Sequence, residues 1–336
     1  MPNFNLKALL ALSLILILTG PRLGDCFIYQ PQILSDISYQ NIYWQLNNIT
    51  SYSTRRAGTL EGNMSAEYIY NYLRSFNISA CHEYFETPDG TLINIIADIP
   101  GSGDPIEYIV LGAHYDSISD TSAAPGTNDN GGSVAVLMEI GRLLADCNLT
   151  RSVKIIFFGG EEIGRYGSLN WINRHIDIRN TLAATLILDM VAYGHHLVLD
   201  YNGQSKPLAE YILQSSGFSS YLSIEENYYL SDHRGFWSAN IPAVLLHHSD
   251  PTSYPYYHRA TDTIDKLNLT NLYLAANITL EAAYNLATDS NLINIYQSTP
   301  AILYPILIVS SASTILMVII LTARYKRRKT NVTDSS

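Results

Sequence analysis

Residues 126–164 read GTNDNGGSVAVLMEIGRLLADCNLTRSVKIIFFGGEEIG. From Ser133 to Asp146 apolar residues recur at helical spacing, which predicts a helix. Val153–Phe158 (VKIIFF) is a short apolar run and predicts a strand. The same alternation continues outward on both sides. Ser65–Phe76 predicts a helix and Ile106–Gly112 a strand. Gly167–His175 reads as helix-like, Ala183–Leu188 as a strand, and Pro207–Ser216 as a helix. Ile241–Leu246 reads as a strand and Leu269–Ala287 as a long helix. No internal repeat or low-complexity linker interrupts this order. Alternating strands and helices predict an α/β domain, a three-layer α/β/α sandwich around a mostly parallel central sheet.

Composition narrows the function. The chain has 336 residues, 47% of them apolar, which excludes a disordered protein. There are 20 Lys and Arg against 30 Asp and Glu, a net charge of −10. Seven of those cations lie at the two ends: Lys7 and Arg22, then Arg324, Lys326, Arg327, Arg328 and Lys329. The intervening chain is more acidic still, which argues against nucleic acid as a partner. Three cysteines exclude a disulfide-built mini-fold and a four-cysteine zinc module. A pairing of Cys81 with Cys147 stays open.

Both ends carry membrane signals. In residues 1–25 a basic residue precedes an uncharged run, Ala8–Pro21, too short to span a bilayer comfortably, as in a secretory signal peptide. Ala301–Ala323 is uncharged and long enough for a spanning helix, and RYKRRK follows at once. Cations on the cytoplasmic side then set the orientation. The expected organisation is a signal peptide at 1–25, an exported domain at 26–298 with its core at about 55–287, a transmembrane helix at 299–323 and a basic cytoplasmic tail at 324–336. The expected location is the cell membrane, single-pass, with the domain on the extracytoplasmic side. Six N-x-S/T sequons, at Asn48, Asn63, Asn77, Asn148, Asn268 and Asn277, would permit glycosylation there.

The chemistry gathers just past the predicted strand ends. His114 and Asp116 follow one strand, Glu161 and Glu162 a second, and Asp189 ends a third. Asp129 lies in a turn before a helix, and His258 in a loop after the last strand. In open parallel sheets ligands bind outside the carboxyl ends of the strands. Two imidazoles and three carboxylates, with no thiolate, suit a catalytic Zn²⁺ site. Carboxylates buried together need a cation, and a two-metal site supplies it, with one carboxylate bridging ions roughly 3.5–4 Å apart. A carboxylate that is not a ligand can then take the proton of the attacking water. Adjacent Glu161 and Glu162 can divide those two tasks. HEYFE at His82 has Glu86 where the H-E-x-x-H motif needs its second His, and it falls in an expected strand; no G-x-S-x-G elbow occurs.

The run H-Y-D, N-D-N-G, G-E-E, L-D-M and Y-Y-H resembles the co-catalytic two-zinc aminopeptidase family, which also holds carboxypeptidases and, more distantly, glutaminyl cyclases. RRAGTLEGN, FFGGEEIGRYGS, SDHRGF and YYHRATDTIDKLN resemble family segments, so the likeness spans roughly Arg55 to Ala287. It implies a zinc-dependent exopeptidase, an aminopeptidase first of all, acting on peptides with two Zn²⁺ per chain. It implies that His114, Glu162 and Asp129 hold one zinc and Asp189, His258 and Asp129 the other. Glu161 is implied as general base, Asp116 as the residue orienting His114, and Tyr257 as the group steadying the oxyanion. Asp232 and His233 are implied to stand beside the substrate cleft. The alternatives are a carboxypeptidase, a glutaminyl cyclase, or a non-catalytic receptor-like relative.

Overall fold

A computed structural model describes residues 31–103, 106–226, 229–289 and 292. The expected signal peptide and transmembrane helix lie outside these residues. Among the described residues no helix is long and apolar enough to cross a membrane.

Among the described residues eight strands form one sheet: β1 (Ser79–Thr87), β2 (Gly90–Ile99), β3 (Tyr108–His114), β4 (Ser152–Phe158), β5 (Leu182–Leu188), β6 (Leu197–Tyr201), β7 (Leu222–Glu226) and β8 (Val244–His248). Their order is β1-β2-β4-β3-β5-β8-β6-β7. The middle block β4-β3-β5-β8 is parallel throughout, and β6 and β7 are parallel to each other. The β1–β2 hairpin and the β6–β8 pairing are antiparallel, as is β2 with β4. The sheet is therefore mixed, with its parallel part where helical crossovers connect the strands. The polar alternation of β1 suits an edge strand.

Helices pack on both faces. On one side lie α1 (Tyr39–Ile49), α2 (Leu60–Ser75), α3 (Gly132–Leu144), α5 (Lys206–Ser215) and α7 (Leu269–Thr288); on the other lie α4 (Tyr166–Arg174) and α6 (His233–Ser238). Local chemistry sets several starts. Ser38, Thr59 and Asn268 accept main-chain N–H groups at the first turns of α1, α2 and α7, each cap worth about 1 kcal/mol. Every residue of α3 except Arg142 is buried, so this helix is the middle of its layer. Phe158, Trp171, Ile187, Phe236 and Leu245 fill the opposite layer.

The sequence places β3 and β8 slightly early. β3 runs on to His114, which is the last residue of the ladder and pairs with Phe158. β8 starts at Val244 because Pro242 has no N–H to give a ladder. A Cβ at Gly112 would meet the Phe158 ring at 2.6 Å and Ile187 at 2.8 Å, so only glycine lets β3 sit this tightly between its neighbours. Cys81 is exposed and Cys147 half-buried, and both are free thiols; the pairing left open by the sequence is not formed.

Candidate metal centre

The carboxyl ends of β4, β3, β5 and β8 deliver the polar residues to one place. His114 closes β3, Glu161 and Glu162 follow β4, Asp189 follows β5, and His258 stands in the loop after β8. Asp129 comes from the turn Thr127–Gly131 that leads into α3. His114 Nε2 lies 3.4 Å from Asp129 Oδ1 and 3.4 Å from Asp189 Oδ1. His258 Nε2 lies 3.3 Å from Asp129 Oδ2 and 2.8 Å from Glu162 Oε2. Asp129 thus turns one oxygen to each imidazole. Ligand atoms of His114, Asp129 and Glu162 all fall within 4.8 Å of one another.

The loop carrying Asp129 is fixed by its own neighbours in sequence. Asn130 donates to Leu188 O (3.0 Å) and accepts from Met190 N (3.2 Å). Asn128 accepts from Ala192 N at 2.9 Å. The two asparagines therefore bind the Asp129 turn to the strand end that carries Asp189. Arg55, fully buried, donates to Tyr115 O, Pro125 O and Gly126 O and so ties the same turn to the end of β3. Gly126 takes φ +53, and a Cβ there would meet Asp129 O at 2.4 Å. His258 and Met190 also hold positive φ, +53 and +51. For residues with a side chain such backbone costs about 1–3 kcal/mol and gathers at functional sites. Asn128, Asn130 and Arg55 were not singled out by sequence; the N-D-N spacing around an acid was the available signal.

Asp116 does more than the sequence suggested. His114 Nδ1 is 3.2 Å from the Asp116 main-chain oxygen but 3.7 Å from its carboxylate. The carboxylate instead accepts the main-chain N–H groups of Glu161 (3.1 Å) and Glu162 (3.3 Å). One residue thereby sets both the His114 ring and the Glu-Glu turn.

The electrostatics demand a cation. Burial opposes charge on His114, yet Asp189 and the hydrogen bonds of Asp116 and Asp129 hold its pKa well above the imidazole range. His258, also against the burial effect, is pushed up to about 10 by Asp129 and Glu162. Burial raises Glu162 to about 8 and lifts Glu161 well above the carboxylate range. The close contacts within the cluster are poorly aligned: His114 Nε2, Asp129 Oδ2, Glu162 Oε1, Asp189 Oδ1 and His258 Nε2 are buried and make no hydrogen bond of good geometry. Such atoms are costly unless something pairs them. The donor set, nitrogen and oxygen with no sulfur, fits zinc, which would replace protons now offsetting the carboxylates.

A cavity of about 290 Å³ adjoins the cluster, lined by Asp129, Glu161, Glu162, Asp189 and Tyr257 on one side. Met190, Tyr229, Leu230, Leu245 and Pro251 make most of the remainder. Tyr257 stacks on the His258 ring at 3.8 Å. Asp232 and His233 are fully buried at the start of α6, and of this segment Ser231 is the residue that lines the cavity. Their placement follows from packing, since His233 meets Trp237 edge-on at 4.5 Å.

Residues 94–283 match the model of Peptidase family M28. The chain belongs to Peptidase family M28. A probable leucine aminopeptidase of Arthroderma otae is 30% identical over 207 residues, 58% of this chain and 57% of that protein. Over that match the chain spans little more than half of the relative. A probable leucine aminopeptidase of Arthroderma benhamiae is 27% identical over 270 residues, 76% of this chain and 75% of its own length. In fold, this M28 peptidase is similar to BSAP, a zinc aminopeptidase from Bacillus subtilis. The TM-score is 0.69 at 17% identity, covering 75% of this chain and 96% of that one.

Proposed function

We propose that this M28 peptidase is a zinc-dependent aminopeptidase that holds two zinc ions and removes N-terminal residues from peptides. The observation that carries the reading is Asp129, which presents separate oxygens to two imidazoles, the buried His114 at 3.4 Å and the half-buried His258 at 3.3 Å. Two atoms bound to one tetrahedral zinc at about 2.0–2.1 Å stand about 3.3 Å apart. That spacing supports His114 with Asp189 on one ion, Glu162 with His258 on the other, and Asp129 on both. The pairing differs from the one that resemblance implied, in which Glu162 stood with His114 and Asp189 with His258. The contacts in the fold favour the new grouping, because His114 meets Asp189 and His258 meets Glu162.

Zinc at these residues would polarise the scissile carbonyl and lower the pKa of the attacking water. Glu161 is the carboxylate left over. It borders the cavity beside Glu162 and is assigned as the base that takes the water proton and returns it to the leaving amine. Tyr257 also borders the cavity; partial burial and then the surrounding carboxylates keep its hydroxyl proton on, available to donate to a developing oxyanion. Among the described residues no Lys or Arg lines the cavity, whereas four carboxylates do. That charge suits a free α-ammonium and offers a C-terminal carboxylate no basic side chain, which favours aminopeptidase over carboxypeptidase. Met190, Leu230, Leu245 and Pro251 suit an apolar N-terminal side chain.

The two membrane signals in the sequence support a single-pass protein with this domain outside the cytoplasm. On an exported surface Asn63, Asn77 and Asn148 are exposed and open to glycosylation. The test of the activity uses the full chain loaded with zinc, a panel of aminoacyl fluorogenic substrates, an N-blocked substrate and Glu161→Ala. Cleavage of free-amine substrates alone, lost in the variant while zinc content persists, is the expected result. Two bound zincs with no cleavage of any free-amine substrate would overturn it.

A further inference from the structure

Asp262 belongs neither to the ligand set nor to the cavity wall, yet it is 1% exposed and lies directly beneath Asp129. Its carboxylate accepts the main-chain N–H of Asn128 (3.0 Å to Oδ1, 3.2 Å to Oδ2) and of Asp129 (3.1 Å to Oδ2). Oδ1 also accepts the hydroxyl of Tyr254 at 2.5 Å. The main-chain oxygen of Asp262 takes Thr127 N at 3.2 Å and Thr127 Oγ1 at 2.8 Å. Three consecutive residues, 127 to 129, are therefore bound by a single residue of another loop. That other loop is the one carrying His258: Asp262 N donates to Arg259 O, closing the turn that starts just after the histidine.

A buried carboxylate is expensive, and one spent on the backbone of a distant turn fixes that turn's position. The two turns joined here present Asp129 Oδ2 and His258 Nε2 to each other at 3.3 Å. Neither turn is part of a strand, and His258 is held in left-handed backbone, so the sheet alone does not set this distance.

We propose that Asp262 is a positioning residue that clamps the Asp129 turn to the His258 loop and so presets the half-site that these two residues build. The role rests on the two-zinc reading for its consequence, but the clamp itself is made of hydrogen bonds between protein groups alone. Asparagine at 262 can keep it: its oxygen can accept both N–H groups, and its amide can donate to the Tyr254 hydroxyl. Alanine cannot.

The experiment compares the full chain with Asp262→Ala, Asp262→Asn and Tyr254→Phe. Amide hydrogen exchange of the metal-free proteins reads the clamp directly. Zinc affinity by chelator competition, and kcat and KM separately, read its consequence. In Asp262→Ala the amides of Asn128 and Asp129 should exchange at least about tenfold faster. Zinc at one of the two sites should weaken by about 10–100-fold, with kcat falling and KM nearly unchanged. Asp262→Asn should stay within a few-fold of wild type in all three. A folded Asp262→Ala protein with wild-type exchange, zinc affinity and kcat, lower only in melting temperature, overturns the proposal. If Asp262→Ala does not fold, Tyr254→Phe decides. Faster exchange at 128–129 with weaker zinc supports the clamp, and wild-type values in both reject it. A wild-type chain that binds no zinc sinks the proposed function, while the exchange data still judge the clamp.

Discussion

His258 Nε2 meets Glu162 Oε2 at 2.8 Å, while the second imidazole, His114, faces Asp189 instead. The cluster is thus two pairs joined through Asp129. Removing a member of one pair should spare the other ion. On the proposed two-zinc reading, His258→Ala and Glu162→Ala should each lower bound zinc from two toward one, and so should His114→Ala. The double variant His258→Ala/Glu162→Ala should still keep one, whereas His258→Ala/Asp189→Ala should keep almost none. Metal analysis after dialysis separates these cases. Retention of one ion by His258→Ala/Asp189→Ala, with none in His258→Ala/Glu162→Ala, would restore the pairing implied by resemblance.

Asp116 supports both halves of the chemistry through main-chain contacts. In Asp116→Ala the N–H groups of Glu161 and Glu162 lose their acceptor. Leaving such donors unpaired costs about 1–3 kcal/mol each when buried. The variant should unfold at lower urea and also lose about 10–100-fold in kcat, because both glutamates shift. Kinetics measured well below the unfolding midpoint test this; an undiminished kcat there would reduce Asp116 to a stabilising role.

Glu281 makes stability depend on pH. It is 4% exposed in α7. Ser216 Oγ and Gly217 N donate to Oε2 at 2.9 and 3.1 Å, and Oε1 has no partner. Burial raises its pKa from 4.5 to about 7. The folded state therefore binds this proton more tightly than the unfolded one. The stabilisation is complete below about pH 4.5 and is lost as pH rises through about 7, an effect on the order of 3 kcal/mol. Glu281→Gln should match wild type near pH 5 and exceed it near pH 8. Urea unfolding of both proteins at each pH checks the difference, which should be absent if the carboxylate ionises freely in the fold.

Glycosylation, if the domain is exported, should follow exposure rather than the sequon count. Asn277 is 7% exposed and its amide donates to Tyr39 Oη and Tyr273 O, so a glycan there would have to break the packing of α7 on α1. Glycopeptide mapping of protein from a secretory host should find occupancy among Asn63, Asn77 and Asn148 and none at Asn277. A glycan on Asn277 would contradict the packing of that helix.

Much of this molecule is legible before folding. The apolar runs of β4 and β5 and the helical period of α3 follow from local pattern, so the α/β class follows from letters alone. The six candidate residues after strand ends do too, because chemistry at a parallel strand's carboxyl end is a rule of chain geometry. The short strands β6 and β7 and the hairpin β1–β2 were less legible: five-residue or polar strands carry little periodic signal. What tertiary structure alone decided is who faces whom. Which acid meets which imbalanced imidazole, that Asp116 serves two amides rather than one ring, and that Asp262 binds the Asp129 turn are all long-range matters. They depend on strand order and on loops closing over distances in sequence that no local propensity encodes, and on buried polar groups that must find partners wherever the fold brings them.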